Sequence, residues 1–290
     1  VIRLDGKALA QERRTNLSQK TQIFSEKWGQ LPCLAVVLVG DDPASQVYVR
    51  NKIKACKEAG ITSIEKRLAA DVSQETVMAT VEALNGDATI HGILVQLPLP
   101  SHLEADLITQ CISPLKDVDG LHFENLGLLF AGQTRVAPCT PWGVIQILKK
   151  YEIPLVGAEA VVIGRSQIVG KPMGQLLLNE SATVTFCHSK TQDLRSHLKK
   201  ADIVVVAAGR PGLIGKDDLH KDAVVIDVGI HRKDDGKLCG DVRFDEIDGF
   251  VKAATPVPGG VGPMTIAMLL ENTLHLAQLQ LQKRNRNRGQ

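Results

Sequence analysis

Tyr48 and Lys52 stand four residues apart in a stretch with helical spacing, so one helix face carries both. A lone Tyr–Lys pair of this kind is more often plain structure than chemistry. A lysine that is buried, however, loses proton affinity and can act as a base or proton shuttle near neutral pH. Lys54 and Lys57 lie on other parts of the same helix and are expected in solvent. Gln96 closes the apolar run that starts at Gly92, and a glutamine can orient a lysine without adding charge. Asp119 lies in the loop Lys116-Asp117-Val118-Asp119-Gly120. Tyr48, Lys52, Gln96 and Asp119 converging in one cleft would form a proton-transfer site that no single member makes alone.

A second group of residues points to a phosphate-bearing ligand. Val161-Val162-Ile163 runs into Gly164-Arg165-Ser166-Gln167-Ile168-Val169-Gly170. Glycine at such a strand–helix turn lets the backbone approach a diphosphate, and the helix N-terminus offers N–H groups and a positive dipole end. The spacing is not G-x-G-x-x-G: Ser166 stands at the second glycine position and the last glycine comes one residue late. By pattern alone, an ordinary tight turn and a dinucleotide site fit equally well. The next strand ends Cys187-His188-Ser189-Lys190-Thr191, with no carboxylate before Asp193. An acidic residue there would select NAD; Ser189 and Arg165, with Lys190 nearby, suit the 2′-phosphate of NADP. Neither a G-x-S-x-G elbow nor a Walker site is present.

These residues need elements to hold them, and the hydrophobic pattern supplies a candidate set. Strands are expected over 34–39, 63–68 and 92–95, and helices over 43–59 and 74–84, with Asp42 and Pro43 opening the first helix and Gly60 closing it. After turn-rich stretches at 113–120 and 133–141, a helix is expected over 141–151. A second series follows: strands at 160–163, 183–186, 203–207 and 224–227, a helix from the glycine turn to residue 178, and a last helix over 263–282 that could pack back on the first domain. Strand–helix alternation predicts an α/β fold with open parallel sheets. The C-terminal edge of such a sheet, where ligands bind, is where Lys52 and Gln96 would lie.

Composition bounds the function. The 290 residues suit about two domains, and 44% hydrophobic content allows a sizeable core. Aromatics are only 3%, which argues against a stacking surface for single-stranded nucleic acid. Lys283, Arg284, Arg286 and Arg288 alone exceed the net charge of +2, so the body is near neutral and the tail reads as a frayed, solvated terminus. Six scattered cysteines show no metal spacing and read as thiols in a reducing compartment; no metal is expected. No apolar run is long enough to span a bilayer. Beginning at Val1, the sequence as given is silent on targeting.

Read together, the motifs resemble one family. Ser45-Gln46-Val47-Tyr48-Val49-Arg50-Asn51-Lys52, His91 to Pro100, Pro114 to Gly120, Pro138-Cys139-Thr140-Pro141, Gly164-Arg165-Ser166, His188-Ser189-Lys190-Thr191 and Thr255 to Thr265 occur in its order. They are similar to the bifunctional methylenetetrahydrofolate dehydrogenase/methenyltetrahydrofolate cyclohydrolase family. The resemblance implies NADP⁺-dependent oxidation of 5,10-methylenetetrahydrofolate, then hydrolysis of the methenyl product to 10-formyltetrahydrofolate. By carry-over, Lys52 is the acid/base of the second step, Gln96 positions it, Tyr48 contacts the folate rings and Asp119 binds the pterin. Leu97, Pro258, Gly259 and Gly262 would line the folate side. Gly164, Arg165, Ser166, Ser189 and Ile230 would contact NADP. The implied architecture is a folate-binding catalytic domain (1–138 plus 264–290) and a Rossmann-like NADP-binding domain (139–263) flanking a cleft. It also implies a cytoplasmic homodimer with no nucleic-acid or membrane partner.

Two other readings fit less. A dehydrogenase acting on a hydroxy acid would leave Lys52, Gln96 and Asp119 unexplained together. A silent NADP-binding protein, or a nucleic-acid binder using the tail, sits poorly with an intact Lys52 and a neutral body.

Overall fold

A computed structural model describes residues 1–288. In chain order the first elements are β1 (Ile2–Arg3), α1 (Gly6–Trp28), β2 (Cys33–Val39), α2 (Pro43–Glu58), β3 (Thr62–Leu68), α3 (Gln74–Gly86), β4 (Gly92–Val95), α4 (Ala105–Gln110) and α5 (Phe123–Phe130). There follow α6 (Cys139–Lys150), β5 (Glu159–Ile163), α7 (Gly170–Asn179), β6 (Thr183–Cys187), α8 (Leu194–Leu198), β7 (Ile203–Val206), β8 (Val224–Asp227), β9 (His231–Arg232), β10 (Leu238–Cys239), α9 (Phe244–Ile247), β11 (Ala253–Ala254) and α10 (Val261–Arg288). The chain divides into two compact units.

The first unit holds Glu12–Leu128, Thr134–Ala137 and the chain from Ile266 onward. Its sheet is parallel, in the order β3-β2-β4. Every residue of β2 is buried, as a continuous Val/Leu/Ala run requires of a central parallel strand covered on both faces. Val37, Val39, Ile93 and Val95 pack with Val77, Val81 and Leu84 of α3 to form its core. The α2 start follows the sequence signal: the Asp42 carboxylate accepts the Ser45 N–H at 2.7 Å, and Pro43 needs no partner for a missing N–H. Ser73 caps α3 through the Thr76 N–H at 3.3 Å.

Two features of this unit depart from the sequence reading. The 23-residue helix α1 was not anticipated; its inward positions Leu17, Thr21 and Phe24 are buried among polar neighbours. The Thr21 hydroxyl donates to the Ala59 carbonyl at 2.6 Å, tying α1 to the end of α2. The basic tail is no frayed terminus over the described residues, because α10 continues to Arg288. Earlier on α10, Gln280 donates to the carbonyls of His91 (2.7 Å) and Leu115 (2.8 Å), and Asn272 to those of Val118 and Ala137. Arg284 donates to the Ala88 carbonyl at 3.1 Å. These bonds anchor the helix that the tail extends.

His91 is buried beside this helix, and its Nδ1 accepts the Cys33 N–H at 3.1 Å. Burial, helped by the nearby Arg284 and Lys116 charges, pushes its pKa down from 6.5 to about 4. The folded imidazole therefore stays neutral where the unfolded one takes up a proton. Stability is full above pH ~6.5 and is lost as pH falls towards ~4, by about 3 kcal/mol in all. His91→Asn keeps an acceptor for Cys33 and should flatten this part of the acid decline; urea unfolding at pH ~7 and pH ~4.5 would measure it.

The second unit holds Val1–Gln11, Leu129–Gln133 and Pro138–Thr265. Its six-stranded parallel sheet has the order β1-β11-β8-β7-β5-β6. Strands β7 and β8 are buried throughout, and Val161, Ile163, Val204, Val206 and Val225 form one core face. Here too the start of the chain differs from expectation. β1 pairs with β11 (Ile2↔Ala253), so the first residues fold with the second α/β series. Two-residue strands carry no periodicity to betray that pairing.

No helix among the described residues is long and apolar enough to cross a membrane.

Candidate active site

The first unit brings Lys52 and Gln96 together. Lys52 follows β2 by way of α2, Gln96 ends β4, and β2 and β4 are adjacent, so both lie at the C-terminal sheet edge. The Lys52 Nζ donates to Gln96 Oε1 at 3.0 Å. The Gln96 amide nitrogen is held in turn by the Leu97 carbonyl, and its backbone N–H continues the sheet ladder to Val37 at 2.9 Å. Gln96 is only 7% exposed, so the oxygen facing Lys52 is fixed by its other bonds. Tyr48 stands one turn before Lys52 and is 41% exposed, which makes it a surface available to a ligand instead of core. Lys54 and Lys57 are exposed, as expected.

Asp119 occupies a turn beside the same sheet. Ile93 bridges Asp117 in parallel, the Ile93 N–H donates to the Lys116 carbonyl at 2.7 Å, and the Asp117–Gly120 turn follows directly. The residues that shape this turn were not singled out from sequence. Asp117 is buried and accepts the His122 N–H and the Asn125 side-chain amide, both at 2.8 Å. Buried Lys116 donates to the carbonyls of Leu84, Asn85 and Asp87 at 2.7–2.9 Å. Burial lowers its pKa, and three hydrogen bonds to the charged group, each worth about 1.5–3 kcal/mol, offset the desolvation. Ser45 also lacked a role. It lies three residues before Tyr48, is buried, and its hydroxyl has no hydrogen-bond partner among the described residues. Cys56, also on α2, is an inert thiol whose pKa burial pushes up to about 12.

In the second unit the strand order reverses at β5, which neighbours both β6 and β7. Crevices that take dinucleotides form at such a switch point. Gly164 sits there with φ +131, and a Cβ on it would meet the Ala207 carbonyl oxygen at 2.2 Å. The Ala207 N–H bonds Ile163 at 2.8 Å, so the loop after β7 lies against the glycine turn. Only glycine fits this close backbone approach, which is what a diphosphate-binding turn needs. Arg165 and Ser166 are exposed beside it. The Ser166 hydroxyl accepts the N–H groups of Val169 (3.1 Å) and Gly170 (3.3 Å). It thus takes up two N–H groups at the start of α7 that the sequence reading left for a ligand.

After β6, the turn from His188 to Thr191 is closed at both ends. Thr191 N–H donates to the His188 carbonyl, and His188 N–H to the Thr191 hydroxyl, each at 2.8 Å. Ser189 and Lys190 are exposed at its tip. Asp193 caps α8 through Ser196 N–H at 3.3 Å, so the first carboxylate after the strand is already committed.

Ile230 follows β8 and is 43% exposed; a Cβ on Gly262 would touch its Cδ1 at 3.5 Å. Within the second unit, the loop with Pro258 and Gly259 is tied to the chain's start by the Lys7 N–H on the Gly259 carbonyl at 2.8 Å. The Thr140 and Thr265 hydroxyls meet at 3.0 Å, joining the two motifs that carry them. Asp227, buried at the end of β8, accepts N–H groups of Gly229, Asp241 and Val242. Burial first, with the neighbouring Asp241 charge adding to it, raises its pKa to about 6 against the effect of those bonds. Among the described residues no cluster of His, Cys, Asp or Glu could hold a metal ion, and all six cysteines are free.

Residues 4–119 match the family model of the tetrahydrofolate dehydrogenase/cyclohydrolase catalytic domain, and residues 138–281 match that of its NAD(P)-binding domain. The bifunctional protein FolD of Bdellovibrio bacteriovorus is 56% identical over 279 residues, covering 96% of this chain and 97% of its own. A crystal structure of the bifunctional enzyme FolD from Campylobacter jejuni superposes with a TM-score of 0.92 at 50% identity, covering 95% of this chain and 98% of that one. The Trypanosoma brucei methylenetetrahydrofolate dehydrogenase-cyclohydrolase, complexed with NADP cofactor and inhibitor, gives 0.92 at 38% identity, with 97% and 98% covered. With both halves matched in order and relatives of this identity spanning nearly the whole chain, the protein belongs to the tetrahydrofolate dehydrogenase/cyclohydrolase family.

Proposed function

We propose that this protein oxidises 5,10-methylenetetrahydrofolate to 5,10-methenyltetrahydrofolate with NADP⁺ and then hydrolyses that product to 10-formyltetrahydrofolate. The observation that carries the reading is the Lys52–Gln96 hydrogen bond of 3.0 Å at the sheet edge of the first unit. It is accompanied in the second unit by a glycine turn at the strand-order switch point.

When bound, NADP⁺ supplies the hydride acceptor, and the C–H bond of the methylene carbon breaks without any protein acid or base. The residues' task in that step is to hold the folate carbon at near-attack distance. Tyr48 contacts the folate rings, Asp119 binds the pterin, and Leu97, Pro258, Gly259 and Gly262 line the substrate. In the second step water attacks the cationic methenyl carbon. Lys52 takes a proton from that water and returns one to N5 as the N5–C bond breaks. The formyl group stays on N10 and one proton leaves to solvent. Gln96 acts through Lys52, fixing the direction of its Nζ.

On the nucleotide side, Gly164, Arg165, Ser166, Ser189 and Ile230 hold NADP, with Arg165 and Ser189 on the 2′-phosphate. We assign the folate role to the first unit and the NADP role to the second, and a cytoplasmic homodimer as the working form. No nucleic-acid or membrane partner enters this reading.

Reduced-cofactor absorbance with 5,10-methylenetetrahydrofolate and NADP⁺, then NAD⁺, tests the first reaction; no reduction with either would sink it. The double variant Arg165→Ala/Ser189→Ala is expected to weaken NADP⁺ by about 10–100-fold, as loss of charge-assisted bonds to a phosphate predicts, and to leave NAD⁺ nearly unchanged. Equal losses for both dinucleotides would remove these residues from the 2′-phosphate.

A further inference from the structure

The Asp241 carboxylate is wholly buried in the second unit and belongs to none of the motifs discussed above. Its Oδ2 accepts the N–H groups of Ala208 (2.7 Å) and Gly209 (2.9 Å). Its Oδ1 accepts the Arg210 N–H (2.9 Å) and His231 Nε2–H (2.7 Å). Four donors fill the four acceptor positions of a carboxylate. Three of them are successive backbone amides converging on one anion, the arrangement that elsewhere receives phosphates. Here the chain supplies the anion itself.

The position of this network gives it a consequence. The amides belong to the loop that leaves β7, and Ala207 at its start lies against Gly164 at the switch point. His231 follows Ile230 directly and opens β9, whose partner β10 leads back to Asp241 (Cys239↔His231). One carboxylate therefore fixes the loop after β7, the loop after β8 and the return segment. Space is made for it by Gly229, on which a Cβ would meet Asp241 Oδ1 at 2.4 Å; Gly240 makes room in the same way for the neighbouring Asp227.

We propose that Asp241 and His231 are positioning residues for the dinucleotide, holding the loops after β7 and β8 in the shape that receives NADP. The proposal rests on the reading of this unit as the NADP-binding one. Asp241 occupies the amide nest, so the nest is closed to the diphosphate and the glycine turn is left as its seat. His231 donates the bond that holds the Ile230 loop to the same anion.

The test uses the whole protein as wild type, His231→Ala, His231→Gln and Asp241→Asn. Hydrogen exchange in the unliganded protein reads the amides of 208–210, equilibrium dialysis reads NADP⁺ binding, and methenyltetrahydrofolate hydrolysis reports on the first unit. Loss of one charge-assisted bond predicts about tenfold weaker NADP⁺ binding for His231→Ala, with faster exchange at 208–210 and hydrolysis unchanged. His231→Gln, which restores a donor, is expected to recover most of the loss, and Asp241→Asn to lose more than His231→Ala. Binding within about twofold of wild type in folded His231→Ala and Asp241→Asn overturns the proposal. So does a parallel fall in hydrolysis, which would mark general unfolding. If wild type binds no NADP⁺ while hydrolysis proceeds, the assignment of this unit to NADP fails, and the positioning role with it.

Discussion

Lys52→Met is expected to lower methenyltetrahydrofolate hydrolysis by about 10²–10⁴-fold while leaving much of the hydride transfer. The two steps make different demands on the protein. Hydride transfer needs two carbons held at the right distance, and methionine keeps the length of the lysine stem. Hydrolysis needs a group that takes and returns protons, and a thioether does neither. The substitution also strips Gln96 Oε1 of the donor now 3.0 Å away, leaving a largely buried acceptor unpaired at a cost of about 1–3 kcal/mol. Some loss of thermal stability should therefore accompany the kinetic effect. Following methenyl decay and NADPH formation on the same preparation separates the two. Hydrolysis at the wild-type rate would remove Lys52 from its role; equal loss of both activities would make it a binding residue only.

Gly164→Ala is expected to have the largest effect on the nucleotide side. Its φ of +131 is strained for any residue with a Cβ, and that Cβ would sit 2.2 Å from the Ala207 carbonyl oxygen. Strain of about 1–3 kcal/mol and overpacking of about 1–3 kcal/mol act together, so the loop after β7 must move away from the turn. NADP⁺ affinity should fall by at least ~100-fold, the equivalent of about 2.7 kcal/mol. Lys52 and Gln96 lie in the other unit and their hydrogen bond is untouched, so hydrolysis of added methenyltetrahydrofolate should persist. Gly127→Ala on α5 is the contrast: nothing lies within 4 Å of a Cβ there, and a helical alanine should be neutral or stabilising by up to about 1 kcal/mol. Similar behaviour of the two variants, by calorimetry and NADP⁺ titration, would contradict the packing argument.

The sequence was legible where local rules decide the outcome. β4 and β8 fall at 92–95 and 224–227 as expected, and α2 begins at Pro43 under the Asp42 cap, because apolar runs and caps act over a few residues. Helix α1 escaped notice because Leu17, Thr21 and Phe24 are spaced for one face but sit among lysines, glutamines and serines. The tail's cations suggested fraying, yet Gln280 and Asn272 anchor α10 to backbone carbonyls far away in sequence, which no local pattern reveals. In the site, the motif spacing drew attention to Lys52 and Gln96, whose hydrogen bond joins residues 44 apart. The residues that support the loops were hidden. Nothing local in the sequence marks Asp117, Asp227 or Asp241 as acceptors of backbone amides, and only folding brings those amides to them.

The most direct test of the account is the identity of the product formed from 5,10-methylenetetrahydrofolate and NADP⁺ by the wild-type chain alone. Chromatography with mass detection should find 10-formyltetrahydrofolate appearing in step with NADPH. Accumulation of methenyltetrahydrofolate that decays no faster than in buffer, or an absence of NADPH, would contradict it.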